Sequence, residues 1–342
     1  MAINSTIEQG GGAPTHLPRV IVLATGGTIA GRTDARSALG YNAGGITGEQ
    51  LLAGVPGLDE LAAIGVEQIA NTGSQDISEA IWLRLAARIR QIIDRDEADG
   101  IVITHGTDTL EETAFFLHLV LPADKAVVLT GAMRPSDAPD ADGPANLRAA
   151  IGVAASPLSR GRGVLVVMNG AIHDPRRVSK THTTAVRAFE SPEAGPLGAV
   201  DSAAPRYFAP AAAARGAAFA LPQAVPLPRV AIVYAHAGMD AACIDHALQD
   251  GARGIVLAGL GNGNAPQAAL AALTGAVRRG VAVVRASRVP AGQVRRNIET
   301  DDDRHGFTAA GSLNPQKARL LLQLLLVDGV TAPDAVQRTF DQ

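Results

Sequence analysis

The stretch that decides the fold of this chain is residues 19–31, which read Arg-Val-Ile-Val-Leu-Ala-Thr-Gly-Gly-Thr-Ile-Ala-Gly. Its apolar and largely β-branched part, residues 20–24, predicts a strand buried on both faces. The glycine pair that follows predicts a tight turn. Because ligands of open α/β sheets bind beyond the carboxyl ends of the strands, we expect the hydroxyl group of Thr28 to lie at a functional site.

Further short apolar runs end in glycine or polar residues and alternate with helical patterns. These strand-like runs span residues 100–103, 126–129, 164–167, 230–233, 254–257 and 281–284. Helical periodicity begins near Ile77, where Asp76 and Glu79 predict a capping box, and Thr109 with Glu112 repeats that signature. The alternation predicts an α/β protein of two domains. We expect a larger N-terminal domain with a mainly parallel mixed sheet flanked by helices, and a smaller C-terminal domain with a parallel sheet.

The 342 residues are enough for two domains and a full core. We place a disordered leader at 1–17, the N-terminal α/β domain at 18–206, a linker at 207–228 and the C-terminal α/β domain at 229–342. The linker follows from the alanine- and proline-rich stretch 190–228, which shows no sustained period and predicts a surface excursion. An amphipathic pattern from Lys317 to Leu326 predicts the closing helix.

Composition excludes several classes of partner. The chain is 47% hydrophobic and 18% charged, with a net charge of −3, as expected for a soluble globular protein that binds neither nucleic acid nor a membrane. The single cysteine, Cys243, excludes an internal disulfide, and the polar start of the chain lacks the apolar segment of a signal peptide. We therefore expect a cytoplasmic protein. A periplasmic protein whose signal peptide had been removed would read the same.

Lysine is rare in this chain. Of 30 basic residues, 27 are arginine, and lysine occurs only at Lys125, Lys180 and Lys317. A guanidinium group cannot lose its proton in a protein, whereas an amine can. Each lysine is therefore either a chance retention or a candidate for proton transfer.

Two uses of the turn at residues 25–31 compete. The commonest use of such a turn is phosphate binding, but the stretch does not read G-x-G-x-x-G and no Gly-Lys-Thr follows. The alternative use is catalysis, which needs a nucleophile, a base and an oxyanion pocket. Thr28 is a candidate nucleophile, and the glycine N–H groups are candidates for the oxyanion pocket. Candidate partners are Tyr41 in a glycine-rich flap, the Thr107-Asp108 pair at another strand end, and Lys180. The histidines at 105, 173 and 182 fit no metal-ligand spacing.

Four segments resemble the bacterial-type L-asparaginases, and more closely their type II branch. They are residues 24–31, residues 103–114, the turn 131–135 with residues 142–144, and residues 289–290 with 314–319. The similarity runs in order from about residue 19 to the end of the chain. It implies hydrolysis of the side-chain amide of L-asparagine to L-aspartate and ammonia, without a metal or cofactor and with L-glutamine as a second substrate to be tested.

The resemblance also implies roles for particular residues. Thr28 matches the nucleophile that forms an acyl-enzyme, and Tyr41 matches its activating partner on a mobile loop. A second catalytic set of the family matches Thr107, Asp108 and Lys180. The residues that bind the α-carboxylate and α-amine of the substrate match Ser74, Gln75 and Asp108.

Two further residues match groups that enter the site from a neighbouring subunit, namely Asn264 and Glu299. The resemblance therefore implies a homotetramer built as a dimer of dimers, with sites at the subunit interface. It also relates Gln75 to asparagine-preferring members, since a glutamate at this position is typical of broader glutaminase-asparaginases.

Other readings of the same residues remain open at this point. Asp108 could cap the helix that follows it, Ser74 and Asp76 could form an ordinary helix entry, and Lys180 could be a solvated amine. A non-catalytic α/β protein that binds an amino acid or a nucleotide would use the same pocket without turnover. A subunit of a transfer-RNA-dependent amidotransferase lacks support, because the chain has no basic face.

Overall fold

A computed structural model describes residues 16–33, 41–42, 44–211 and 217–342, with only the backbone described at 41 and 42. The predicted leader therefore lies outside the described residues apart from His16 and Leu17. The boundaries assigned above to the domains and the linker stay predictions.

The strands and helices alternate along most of the chain. The strands are β1 (Arg19–Gly26), β2 (Arg32–Thr33), β3 (Tyr41–Asn42), β4 (Ala63–Thr72), β5 (Gly100–Thr104), β6 (Ala126–Thr130), β7 (Val164–Met168), β8 (Ala171–His173), β9 (Ser179–Lys180), β10 (Phe189–Glu190), β11 (Gly198–Asp201), β12 (Ala204–Tyr207), β13 (Val230–Tyr234), β14 (Gly254–Gly259), β15 (Ala282–Ser287) and β16 (Phe307–Ala309). The helices are α1 (Gly48–Ala53), α2 (Glu79–Asp94), α3 (Leu110–Val120), α4 (Gly143–Ala155), α5 (Ala242–Gln249), α6 (Gln267–Arg278), α7 (Asp302–His305), α8 (Pro315–Val327) and α9 (Pro333–Phe340).

The N-terminal sheet has eight strands in the order β12-β11-β8-β7-β6-β5-β1-β4. The five strands from β7 to β4 are parallel, and β8, β11 and β12 extend the sheet in antiparallel fashion. Every residue of β5, β6 and β7 is buried, which explains why these strands read as continuous apolar runs. The predicted mixed, mainly parallel sheet is confirmed.

Helices cover both faces of this sheet. On one face, Trp82 and Leu85 of α2 and Phe115 of α3 form a core with Leu23 and Ile101 of the sheet. On the other face, α1 and α4 pack on the alternate side chains of the same strands, among them Val22 and Val102. The carboxyl ends of β1 and β5 lie side by side in this sheet.

The C-terminal domain is built on a parallel sheet of four strands in the order β13-β14-β15-β16. Helices α5 and α6 pack on one face, and α8 covers the other. Leu320 and Leu324 of α8 share a core with Phe115 and Phe116 of α3. Helix α8 is therefore a structural element of both domains, and the predicted second α/β domain is confirmed.

Two local predictions are wrong. Helix α2 begins at Glu79 with Ser78 as its N-cap, so Asp76 and Glu79 form no capping box; residues 74–76 form a separate turn of 3₁₀-helix. Thr109 precedes α3 without a side-chain cap, because its hydroxyl donates to the Ser74 carbonyl over 2.7 Å. The Glu79 carboxylate instead accepts from the Leu227 N–H over 2.8 Å, so tertiary contacts engage Glu79 and Thr109 in place of the predicted capping boxes.

The stretch 190–228 is also more ordered than the sequence predicts. Strands β11 and β12 form a hairpin that continues the N-terminal sheet through β8. Each strand has four residues, too few for the alternation of side chains to give a recognisable period.

Candidate active site

The candidate site lies where β1 and β5 end side by side. The two strands pair in parallel up to Ala24 and Thr104, and the hydroxyl of Thr25 donates to the Thr104 carbonyl over 2.8 Å. Strand β1 has β4 on its other side. The chain continues from β1 to β4 on that side and from β5 to β6 on the opposite side, and this reversal creates the crevice in which open α/β sheets bind ligands.

Glycines allow the turns that follow these two strands to touch. Gly27 has a φ of +84°, and a Cβ atom on it would lie 2.3 Å from the backbone of Gly106. A Cβ on Gly106 would in turn lie 2.8 Å from the Ser74 side chain. Thr28, which is half-buried, directly follows Gly27, and Thr107 directly follows Gly106. The two threonines therefore flank the same backbone contact.

Lys180 lies against the second of these turns. Its Nζ donates to Thr107 Oγ1 over 2.9 Å and to Asp108 Oδ1 over 2.6 Å. The lysine side chain is 16% exposed, whereas that of Asp108 is 63% exposed. A lysine amine that has lost its own proton can accept the proton of a hydroxyl that it contacts. This arrangement can therefore activate an oxygen nucleophile.

Ser74 completes this side of the crevice. It is buried, and its Oγ accepts a hydrogen bond from the Asp108 N–H over 3.1 Å. Gln75 is exposed, and its amide packs against the backbone of Gly73. Ser74, Thr107, Asp108 and Lys180 therefore form one connected group, while Gln75 flanks it.

The flap that carries Tyr41 is described only in part. Its backbone pairs with Thr33 through β2 and β3, but the Tyr41 side chain and residues 34–40 and 43 lie outside the described residues. The flap returns to the site at Gly44, whose N–H donates to the Gly27 carbonyl over 3.3 Å. The role assigned to Tyr41 stays a prediction.

Asn264 and Glu299 contact each other rather than the group around Lys180. The Asn264 amide donates to the Glu299 carboxylate and accepts from the Thr300 hydroxyl over 3.1 Å. Within the part of the chain that the structure describes, no hydrogen bond or ion pair joins either residue to Lys180, Ser74, Thr107 or Asp108. Their predicted contribution to a neighbouring subunit stays a prediction.

A buried hydrogen-bonded chain behind the site escaped the sequence analysis. His105 Nδ1 lies 2.7 Å from the Gly106 carbonyl, which can only accept, so Nδ1 carries the proton. Its Nε2 then accepts from the Thr113 hydroxyl over 2.9 Å, and that hydroxyl accepts from Trp82 Nε1 over 2.8 Å. Complete burial lowers the pKa of His105 to about 4. The neutral ring thus fixes the peptide group that precedes Thr107; no sequence pattern marks these three residues as partners.

A carboxylate holds the turn after β6. Asp142 accepts hydrogen bonds from the backbone N–H groups of Met133 and Arg134, each over 3.0 to 3.1 Å. This contact explains why residues 131–135 and 142–144 belong together in the resemblance. Among the residues with described positions, no cluster of three or more His, Cys, Asp or Glu side chains could hold a metal ion. No helix in the same part of the chain is long and apolar enough to cross a membrane.

The fold and the strand-end group define a class, that of two-domain α/β proteins in which a lysine amine contacts a buried threonine hydroxyl beyond the strand ends. A family model described as Asparaginase, N-terminal, matches residues 19–213, and a model of the Glutaminase/Asparaginase C-terminal domain matches residues 229–340. The chain belongs to the asparaginase family, and the resemblance noted in the sequence is confirmed.

Relatives match over nearly the whole chain. L-asparaginase 2 of Escherichia coli K12 is 45% identical over 97% of this chain and 95% of its own length. Probable L-asparaginase periplasmic of Haemophilus influenzae is 44% identical over 95% and 93%. Glutaminase-asparaginase of Pseudomonas fluorescens is 42% identical over 91% and 87%.

Proposed function

We propose that this protein hydrolyses the side-chain amide of L-asparagine to L-aspartate and ammonia through an acyl-enzyme. The observation that carries the proposal is the contact of the Lys180 amine with Thr107 and Asp108 at the end of β5. Similarity to proteins named L-asparaginase supports the choice of substrate.

In the proposed mechanism, Thr28 is the nucleophile. Its Oγ bonds to the amide carbon, and its proton passes to the phenolate oxygen of a deprotonated Tyr41 or, through Thr107, to a deprotonated Lys180 amine. Backbone N–H groups next to the glycine turn stabilise the oxyanion. The C–N bond then breaks, ammonia leaves with the transferred proton, and water hydrolyses the aspartyl ester. These steps need no metal or cofactor.

The proposed roles of the remaining residues concern substrate binding. Ser74, Gln75 and Asp108 bind the α-carboxylate and α-amine of asparagine. The exposed carboxylate of Asp108 supplies a charge of the sign that the substrate ammonium group requires.

The experiment is an assay of ammonia release by the purified protein. We expect saturable turnover of L-asparagine, and a loss of about a thousandfold or more in Thr28→Ala and Lys180→Met without loss of fold. Saturable binding without product would instead identify an amino-acid-binding protein. Turnover near that of the wild type in either variant would reject the proposed site.

We also propose that the protein is an L-asparaginase that prefers L-asparagine, with a slower activity on L-glutamine. The support is Gln75, because the resemblance associates glutamine at this position with asparagine preference. Since one relative is named a glutaminase-asparaginase, initial rates on both amides are the test. A higher kcat/KM for L-glutamine would contradict the preference.

The proposed assembly is a homotetramer in which Asn264 and Glu299 complete the site of a neighbouring subunit. Co-expressed Thr28→Ala and Glu299→Gln subunits, each inactive alone, test this. With random pairing about half of the dimers are mixed, and each mixed dimer has one intact site of its two. We therefore expect about a quarter of wild-type activity. Recovery of no activity would show that both residues act within one chain.

We propose a cytoplasmic location for the protein. Its support is the sequence alone, and one relative bears the word periplasmic in its name. Fractionation of cells that produce the full-length protein tests this location, and recovery in the periplasmic fraction would contradict it.

A further inference from the structure

Lys317 is a buried lysine for which the proposed mechanism has no use. It lies in the first turn of α8, and its side chain is 1% exposed. Burial of an ammonium group is strongly unfavourable unless hydrogen bonds and counter-charges compensate. Its partners therefore indicate what the residue does.

The partners of Lys317 belong to the segment that leads into Lys180. Lys317 Nζ donates to the carbonyl of Val178 and, over 3.3 Å, to the carbonyl of Arg176. These carbonyls lie two and four residues before Lys180. Because the amine reaches them from the C-terminal domain, α8 fixes the backbone that presents the Lys180 amine to Thr107.

A second contact joins α8 to the same segment. Asn314, the N-cap of α8, uses Oδ1 to accept from the Lys317 N–H over 3.1 Å and Nδ2 to donate to Ser179 Oγ over 3.0 Å. Ser179 directly precedes Lys180. The start of α8 therefore binds the segment at three points within four residues of Lys180.

The start of α8 also reaches the other half of the site. Glu111 lies in the first turn of α3, three residues after Asp108, and is 5% exposed. Its carboxylate accepts from Gln316 Nε2 over 2.6 Å and lies 3.9 Å from Lys317 Nζ. One buried polar group thus connects the segment of Lys180 with the helix that follows Thr107 and Asp108.

Burial and the neighbouring carboxylate have opposite effects on the pKa of Lys317. Desolvation lowers the pKa of Lys317 to about 8, although the nearby Glu111 carboxylate acts in the opposite direction. The amine is therefore largely protonated at neutral pH and can donate to both carbonyls.

We propose that Lys317 is a positioning residue, whose hydrogen bonds to the carbonyls of Arg176 and Val178 hold the Lys180 amine beside Thr107. The inference rests on the proposed function, since it assigns Lys317 a part in the same reaction. Lys317 touches neither the substrate nor a reacting atom in this scheme, and acts only through Lys180.

The test is Lys317→Met in the full-length protein. A displacement of a catalytic group by about 1 Å costs on the order of a hundredfold in rate, so we expect kcat on L-asparagine to fall roughly ten- to a hundredfold. The affinity for the product L-aspartate, which Ser74 and Asp108 bind, should change by less than about threefold. An unchanged kcat, or equal losses in kcat and in aspartate affinity, would overturn the proposal.

Two variants complete the experiment. Lys125→Met is the matched control, because Lys125 also donates to a backbone carbonyl, that of Ala98, but at the amino end of β6; we expect an unchanged kcat. Lys317→Gln keeps an NH2 donor group on an uncharged side chain one bond shorter, so it should fold even where Lys317→Met does not, and its kcat should lie between those of Lys317→Met and the wild type. A Lys317→Gln enzyme with wild-type kcat would overturn the proposal. If the wild type itself released no ammonia, the proposed function would fail rather than this inference.

Discussion

At the scale of the residue, the site depends on glycines that let two turns touch. Gly27→Ala would place a methyl group 2.3 Å from the Gly106 backbone, at a φ of +84° that alanine rarely adopts. Either the turn of Thr28 or that of Thr107 must move. We predict a loss of more than about a hundredfold in kcat/KM together with a lower melting temperature.

Gly251→Ala is the matched control for this substitution. Gly251 has a similar φ of +78°, but an added Cβ would meet nothing within 4 Å. We expect it to cost about 1 to 2 kcal/mol of stability through the backbone alone and to leave activity unchanged. Equal activity losses in the two variants would show that the contact between the turns is unimportant.

His105 gives a pH-dependent prediction. Its folded pKa of about 4 lies below the usual 6.5 because burial penalises the charged ring. Between pH 6.5 and 4 the unfolded chain therefore binds a proton that the folded protein excludes, and stability falls as the pH falls. The stability that the neutral His105 ring contributes is fully present above pH 6.5, and it decreases by at most about 3 kcal/mol as the pH approaches 4.

Urea unfolding of the wild type and of His105→Gln across this pH range measures the effect. Other titrating groups cancel in the difference between the two proteins. We expect the stability advantage of the wild type to shrink as the pH falls from 6.5 to 4. A difference that stays constant would show that His105 titrates normally in the folded state.

At the scale of the element, a buried ion pair holds the two loops that carry Asn264 and Glu299. Arg285 of β15 and Asp302 of α7 are both fully buried and form two hydrogen bonds of 2.5 and 2.7 Å. Arg285 also donates to the carbonyls of residues 262, 263 and 295. The buried ion pair therefore holds the backbone of both loops in place through the hydrogen bonds of Arg285.

Asp302→Asn tests this role. Loss of one partner from a buried ion pair leaves an uncompensated charge and costs about 3 to 5 kcal/mol. The adjacent Asp303 also pairs with an arginine, Arg296, but is 61% exposed, so Asp303→Asn should cost less than about 1 kcal/mol. Thermal or urea unfolding measures both, and similar losses in the two variants would contradict the assigned role of Arg285.

The elements that the sequence predicts are those in which local pattern and burial agree. Strands such as β5 and β6 are buried along their whole length and read as unbroken apolar runs. The ten residues of β4 were missed, because this edge strand is only half-buried and carries Glu67 and Gln68 among its apolar residues. The three residues of β16 are too short for any pattern.

At the scale of the whole molecule, the site is assembled from distant parts of the chain. The contacts of Lys180 with Thr107 and Asp108 join residues more than 70 positions apart, and helix α8 supports both from the C-terminal domain. Strand ends could be recognised from glycine and hydroxyl residues, so the candidate residues could be found in the sequence. The supporting chain of Trp82, Thr113 and His105 could not, because only the packing of α2 on α3 brings these side chains together.

The measurement that tests the central claim most directly is the capture of the acyl-enzyme. The protein is mixed with L-asparagine, quenched in acid within milliseconds and digested, and the peptides are analysed by mass spectrometry. We predict an aspartyl ester on Thr28 that is absent from Thr28→Ala. An ester on Thr107 instead, with Thr28→Ala still turning over L-asparagine, would contradict the account.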